Sequence, residues 1–301
     1  MKKFIIILMS VIMIVSCSST NSSNIESNSI ESSDTEYEYV EEIVTIQTAT
    51  HEIPATILKP ITDNDVPFVV MLHGTGSNRD EAGGGYKIAA PILAKKYGIA
   101  SIRIDFIGNG ESKEDYIDYN FTSAVNDALE AKKYMSTLEG IDPNRAGIMG
   151  WSQGGTIAML ATGWNPDEFK SVVTWAGAPD LSSLLDEENF EEANVNGYFV
   201  MNFDWRSSLN VSKQWCDDVK NTDVLNVFSA FQGPVLAIAG KLDDTVDPEW
   251  ANKIVQVSNN NQSQTYFIDG MDHTFNVFSE QDFKSITNAT YKTGEFFKAT
   301  L

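Results

Sequence analysis

The chain has 301 residues, 42% hydrophobic and 11% aromatic, enough to build a sizeable core in one large domain or two small ones. Its formal net charge of -21 repels nucleic acid and anionic membrane surfaces, which excludes DNA or RNA binding. Its two cysteines, Cys17 and Cys216, leave little scope for a disulfide framework.

The N-terminal stretch "MKKFIIILMSVIMIVSC" places two lysines before an apolar run from Phe4 to Ser16. That run is short of the about 20 residues a bilayer span needs, and it reads as a secretory signal over residues 1–16. The segment "IVSC" resembles the bacterial lipoprotein processing box. The resemblance implies lipidation at Cys17 and an exported protein held in the bacterial cell envelope through a membrane anchor. The alternative is an ordinary signal peptide that happens to hold a cysteine. Residues 17–37, rich in Ser, Asn and Glu, cannot form a core and are expected to be a flexible tether. With Cys17 lipidated, Cys216 has no partner for an internal bond. No motif surrounds it in "KQWCDDV", which suits a structural residue better than a nucleophile.

A single large domain is expected over residues 38–301. "YVEEIVTIQT" and "EIPATILKP" predict two strands joined by a turn at Ala49 to His51. "VPFVVMLHG" is a continuous apolar run ending in glycine, the pattern of a strand buried on both faces. "YKIAAPILAKKYG" has helical spacing and a terminal glycine. Then follow a strand ("IASIRIDF"), an amphipathic helix ("FTSAVNDALEAKKYMSTL"), a strand ("RAGIMGWS") and a small-residue helix ("QGGTIAMLATG"). "KSVVTWAG" and "GPVLAIAG" predict two more buried strands, "PEWANKIVQVS" a helix, "SQTYFID" a last strand, and "DFKSITNATYKTGEFFKATL" a closing helix. Such alternation implies an α/β domain with a mostly parallel sheet covered on both faces. Residues 178–232 interrupt it without a buried strand. They carry Phe190, Tyr198, Phe199, Phe203, Trp205 and Trp215, and are expected to form a helical cap over the site rather than an idle surface elaboration.

"GWSQGG" sets Ser152 at a strand-to-helix corner, where glycines permit a sharp turn and the serine hydroxyl is lifted from the carboxyl end of the sheet. The helix behind it favours developing negative charge. A serine needs a base and the base needs an orienting group. Of three histidines, His51 lies in an N-terminal turn and His73 ends a buried strand. His273, in "DGMDHTF" after the last strand, stands at the right end of the sheet for a base. The acid is expected in "GKLDDTVDP", among Asp243, Asp244 and Asp247. The spacing of Gly240 and Val246 about it selects Asp243 ahead of Asp244. Backbone N–H groups of Gln153 and Thr75 are the expected oxyanion donors.

With "LHGTG", "DFIGNGES", "GWSQGG", "GKLDDTV" and "DHTF" in this order and spacing, the chain resembles the α/β-hydrolases. Within them it is similar to bacterial cinnamoyl and feruloyl esterases and to dienelactone-hydrolase-like and prolyl-oligopeptidase-like catalytic domains. The resemblance covers roughly residues 40–301. It implies an eight-stranded sheet, a serine hydrolase acting on a small-molecule carboxylic ester, no cofactor and no metal, support of the oxyanion loop by His73, and a supporting role for Asp105. Trp151 departs from the His or Phe of many relatives and is expected to narrow the ground beside the nucleophile. An acyl-amide or peptide substrate, and a non-enzymatic envelope-binding role, are the alternative readings.

Overall fold

The computed structural model describes residues 36–301. The signal segment expected at 1–16, the lipidation site Cys17 and all but the last two residues of the tether lie outside them. Tyr37, the last tether residue, already packs on the domain: its N–H donates to Lys95 O at 2.8 Å.

Strands β1 (Tyr39–Gln47) and β2 (Glu52–Pro60) form an antiparallel hairpin, with Tyr39 opposite Pro60 and Gln47 opposite Glu52. After it come β3 (Val66–Leu72), α1 (Gly85–Tyr97), β4 (Ala100–Ile104), α2 (Phe121–Met135), β5 (Ile141–Trp151), α3 (Gln153–Trp164) and β6 (Ser171–Trp175). The insertion supplies α4 (Glu187–Asn196), β7 (Tyr198–Met201), β8 (Leu209–Ser212), α5 (Lys213–Asn221) and α6 (Val224–Phe228). The chain closes with β9 (Val235–Gly240), α7 (Glu249–Val257), β10 (Gln264–Ile268) and α8 (Lys284–Thr300). The large sheet has eight strands in the order β1-β2-β4-β3-β5-β6-β9-β10. β2 runs antiparallel to both its neighbours, and the strands from β4 to β10 are parallel. This is the expected α/β-hydrolase architecture.

The apolar runs work as expected because successive side chains of a strand point to opposite faces. On β3, Phe68, Val70 and Leu72 join one core with Ala128 of α2 and Ile157 of α3. Val69 and Met71 join the other with Leu93 of α1 and Ile286 and Phe297 of α8. β9 divides in the same way, Val235 and Ala237 to the first core and Leu236 and Ile238 to the second. Local signals set the helix ends. Asn120 accepts from Ser123 N–H and Ser123 Oγ accepts from Asn120 N–H, both at 2.9 Å, which starts α2 with reciprocal caps.

The insertion is largely helical, but it also contains an antiparallel two-stranded ribbon, β7 with β8. Phe199, Leu209 and Val211 of this ribbon are buried, although the residue pattern predicts no buried strand there. Each strand is only 4 residues long, too short for a period of two to stand out.

Candidate functional site

Ser152 occupies the corner between β5 and α3 with φ 54 and ψ -121, a backbone conformation that non-glycine residues rarely adopt. The corner is held by close backbone approach. A Cβ at Gly150 would lie 2.0 Å from Gly154 O, and one at Gly154 would lie 2.1 Å from Leu72 O. Only glycine fits either place.

His273 lies in the loop between β10 and α8. Asp272 Oδ1 accepts from Thr274 N–H and Asn276 N–H, both at 2.9 Å, and Asn276 Nδ2 donates to Gly270 O at 3.0 Å. Asp243 follows β9; its Oδ1 accepts from Thr245 N–H at 3.0 Å and Val246 N–H at 2.8 Å. These bonds leave Asp243 Oδ2 facing His273 Nδ1 at 2.9 Å, while His273 Nε2 stands 3.1 Å from Ser152 Oγ. The three side chains, from loops after three different strands, form one continuous hydrogen-bonded chain. Asp244 and Asp247 do not join it: both are exposed and turn to Thr245 Oγ1 and Glu249 N–H.

The loop after β3 borders the same place. Burial pushes the His73 imidazole below its usual range and holds it neutral. It donates from Nδ1 to Gly74 O at 2.8 Å and accepts at Nε2 from Phe106 N–H at 3.1 Å, fixing one tautomer. His73 therefore supports the loop, as expected, and does not reach Ser152. Thr75 Oγ1 donates to Gln153 Oε1, and Gln153 Nε2 donates to Tyr119 OH at 3.1 Å, so both expected oxyanion residues are braced through their side chains. The N–H groups of Thr75 and Gln153 have no acceptor among the described residues. Asp105 receives Arg79 N–H at 2.7 Å, Glu111 N–H at 2.9 Å and the Arg79 guanidinium, which confirms a supporting place for it. His51 pairs with Asp127 at 2.9 Å, far from this chemistry in sequence and role. Cys216 is buried, and burial lifts its thiol to about 11, which suits an inert structural residue.

A cavity of about 780 Å³ opens over Ser152 and His273. The insertion contributes Asp180 to Leu184 and Trp205 to its wall. Of the six aromatic residues named in the insertion, Trp205 alone lines the cavity; Phe199 and Trp215 are buried inside the insertion itself. The remaining aromatic wall comes from Trp250 and Phe278, outside the insertion. Trp151 also departs from expectation. It is 1% exposed and does not line the cavity. Strand alternation turns it to the opposite face of the sheet, where it packs against Phe275 and Trp175 with ring centroids 4.7 and 5.4 Å away. Its indole Nε1 donates to His273 O at 3.0 Å. It anchors the histidine loop instead of shaping the floor beside the serine.

Residues 89–290 match the prolyl oligopeptidase family. The chain belongs to that family. Solved structures agree on the fold. Est1E of Butyrivibrio proteoclasticus, solved with ferulic acid bound, is 19% identical, with a TM-score of 0.70 over 85% of this chain and 98% of that one. A dienelactone hydrolase from Anabaena variabilis is 17% identical, with a TM-score of 0.62 over 87% and 99%. The quorum-quenching protein AidA of Acinetobacter baumannii is 29% identical over 120 residues, which are 40% of this chain and 38% of that protein. The match to the prolyl oligopeptidase family starts within α1 and ends within α8, so it takes in Ser152, Asp243 and His273 but not His73 or Thr75.

Proposed function

We propose that this member of the prolyl oligopeptidase family is a serine hydrolase of carboxylic esters. The observation that carries the reading is the Ser152–His273–Asp243 hydrogen-bonded chain at the floor of the cavity. Ser152 Oγ attacks the ester carbonyl as His273 Nε2 takes its proton; Asp243 orients the imidazole and stabilises the imidazolium. The tetrahedral oxyanion is received by the N–H groups of Thr75 and Gln153. His273 then returns the proton to the leaving alcohol. Water repeats the sequence on the acyl-enzyme and frees the acid.

A neutral ester with a short or aromatic acyl group fits the walls best. They include Trp205, Trp250 and Phe278 together with the carboxyl groups of Glu81, Asp180 and Asp247, and no Lys or Arg. Such a lining holds flat apolar groups and offers no clamp to a phosphate. Ferulic acid on Est1E is an aromatic acid of this kind. Cleavage of acyl-amides by the same residues is the second reading, favoured by membership of a family named for an oligopeptidase.

The test is a panel of p-nitrophenyl butyrate, methyl ferulate, a lactone, an aminoacyl-amide and a phospholipid. Ser152→Ala runs alongside, with its fold checked by circular dichroism. The expected outcome is ester cleavage with loss of about a million-fold in kcat in the variant, and no labelling by a fluorophosphonate. Retained labelling would place the nucleophile elsewhere, and amide cleavage exceeding ester cleavage would select the second reading. For localisation we propose lipid attachment at Cys17. A fatty-acid analogue fed to expressing bacteria is expected to label the wild type and not Cys17→Ala.

A further inference from the structure

Glu81 is a carboxyl group in the cavity that the proposed chemistry leaves without a task. It is 7% exposed and lines the cavity with Ser152. Both its oxygens face Gly74 N–H, at 3.1 and 3.2 Å. Its backbone has φ 62 and ψ -176, a combination that is essentially reserved to glycine. A surface glutamate would have no reason to hold that conformation. Here it is locked from both sides, by Glu81 N–H on Asn78 O at 2.8 Å and by Gly84 N–H on Glu81 O at 3.1 Å. The strained turn aims the side chain back under the loop that carries Thr75. A Cβ placed on Gly74 would lie 3.1 Å from both Glu81 Oε1 and Ser152 Cβ, so one glycine separates the carboxyl from the nucleophile.

We propose that Glu81 is a positioning residue for the oxyanion loop: it holds Gly74 N–H so that the next amide, that of Thr75, stays turned toward the ester carbonyl. The proposal rests on the reading of Ser152 as nucleophile. Glu81 does this work uncharged. An ionised carboxylate this close would oppose the negative charge that develops on the substrate oxygen, whereas a carboxylic acid still accepts from Gly74 N–H. Burial pushes the Glu81 carboxyl up to about 8, against the smaller opposite pull of Ser77 and the Gly74 amide. The groups around it give no countercharge. Tyr86 of α1 is held neutral by burial and donates to Leu72 O at 3.0 Å. Its chain neighbours Arg79 and Asp80 are already paired, with Asp105 and Glu111 and with Arg103. The other titratable groups on the cavity wall are His273, Asp180 and Asp247.

The experiment uses the full chain, labelled with ¹⁵N-glycine, and follows the Gly74 amide from pH 6 to 9.5. Wild type and Ser152→Ala are expected to titrate with a midpoint of about 8, and Glu81→Gln to stay flat. In turnover of p-nitrophenyl butyrate, the wild-type kcat should fall as pH rises past that midpoint. Glu81→Gln should stay within about threefold of wild type at pH 7 and lack the alkaline fall. Glu81→Gly, which relaxes the backbone and removes the carboxyl, should lose about tenfold in kcat with KM little changed. A Gly74 amide that does not titrate, an alkaline fall that persists in Glu81→Gln, or wild-type kcat in Glu81→Gly would each overturn the proposal. If Ser152→Ala retains hydrolysis, the nucleophile assignment fails, and the amide titration still decides whether Glu81 holds the loop.

Discussion

Asp243 and Asp244 are neighbours in sequence with opposite environments. Asp243 is buried, takes two backbone N–H bonds on one oxygen and faces the imidazole with the other. An amide at this place keeps the shape but favours the wrong histidine tautomer, so Asp243→Asn is expected to lower kcat by about 10⁴. Asp244→Asn should leave kcat within about twofold, because that side chain is exposed and does not meet His273. Steady-state kinetics on the two purified variants checks both, and a reversed ranking would remove Asp243 from the proposed triad. Trp151 gives a second expectation. Trp151→Phe keeps an aromatic ring in the core and deletes the indole N–H that holds His273 O. The loss is expected to be about 1 kcal/mol of stability, with a measurable drop in kcat from a looser histidine loop. A thermal melt beside the kinetics separates the two effects.

The β1–β2 turn carries a pH-dependent contact. His51 Nε2 lies 2.9 Å from Asp127 on α2, and both side chains are nearly covered. The carboxylate of Asp127 raises the His51 imidazole above its ordinary 6.5. Burial in turn raises Asp127, against the pull of His51. A histidine raised on folding gives its full stabilisation below 6.5 and loses it as pH climbs through the higher folded value. The melting temperature of the wild type should therefore fall on going from just below to well above pH 6.5, and His51→Gln should flatten that part of the profile. An unchanged slope in the variant would assign the pH dependence to other groups. The insertion is tied to the loop after β3 by a charged contact. Arg206, between β7 and β8, donates to Gly76 O in that loop and to Asn109 Oδ1 at 2.9 Å. Arg206→Met keeps the stem and removes the clamp. It is expected to raise KM or lower kcat by about tenfold, as the loss of a charged hydrogen bond implies, and kinetics near those of the wild type would show the insertion to be held by other contacts.

These contacts mark the limit of what the residue pattern reveals. The strands, the elbow glycines and the order Ser152, Asp243, His273 follow from local spacing, since a buried parallel strand and a strand-to-helix corner each leave a compact signature. The direction of Trp151 is not legible in the sequence, because it depends on which face of β5 the residue occupies, one residue before the corner. Arg206 and Glu81 carried no signal at all. The first acts across 130 residues on Gly76, and the second through a positive φ that nothing in "SNRDEAGGG" reveals. The four-residue strands of the ribbon were lost for want of length.

Charge acts over the molecule as a whole. At -21, the chain repels anionic substrates before any contact forms, and Asp180 and Asp247 of the cavity lining add to the same field. Raising salt from about 20 to 200 mM shortens the reach of that repulsion several-fold. The kcat/KM for a succinylated p-nitrophenyl ester should therefore rise with salt, while that of the neutral butyrate ester stays level. Parallel salt curves for both would show that the approach to the site does not feel the net charge.

The order of the large sheet leaves β1 at its border, and among the described residues no strand covers its outer side. Val40 and Ile43 stand 49% and 72% exposed on it, beside Glu41 and Glu42. Such an uncovered border is a template for a strand of another molecule, and here the guard is electrostatic. The guard fails where the molecule loses its charge, near the pI of 4.4. Colloidal stability should therefore collapse in mildly acid solution while the domain is still folded. In that state Ile43→Lys would keep the protein clear to light scattering.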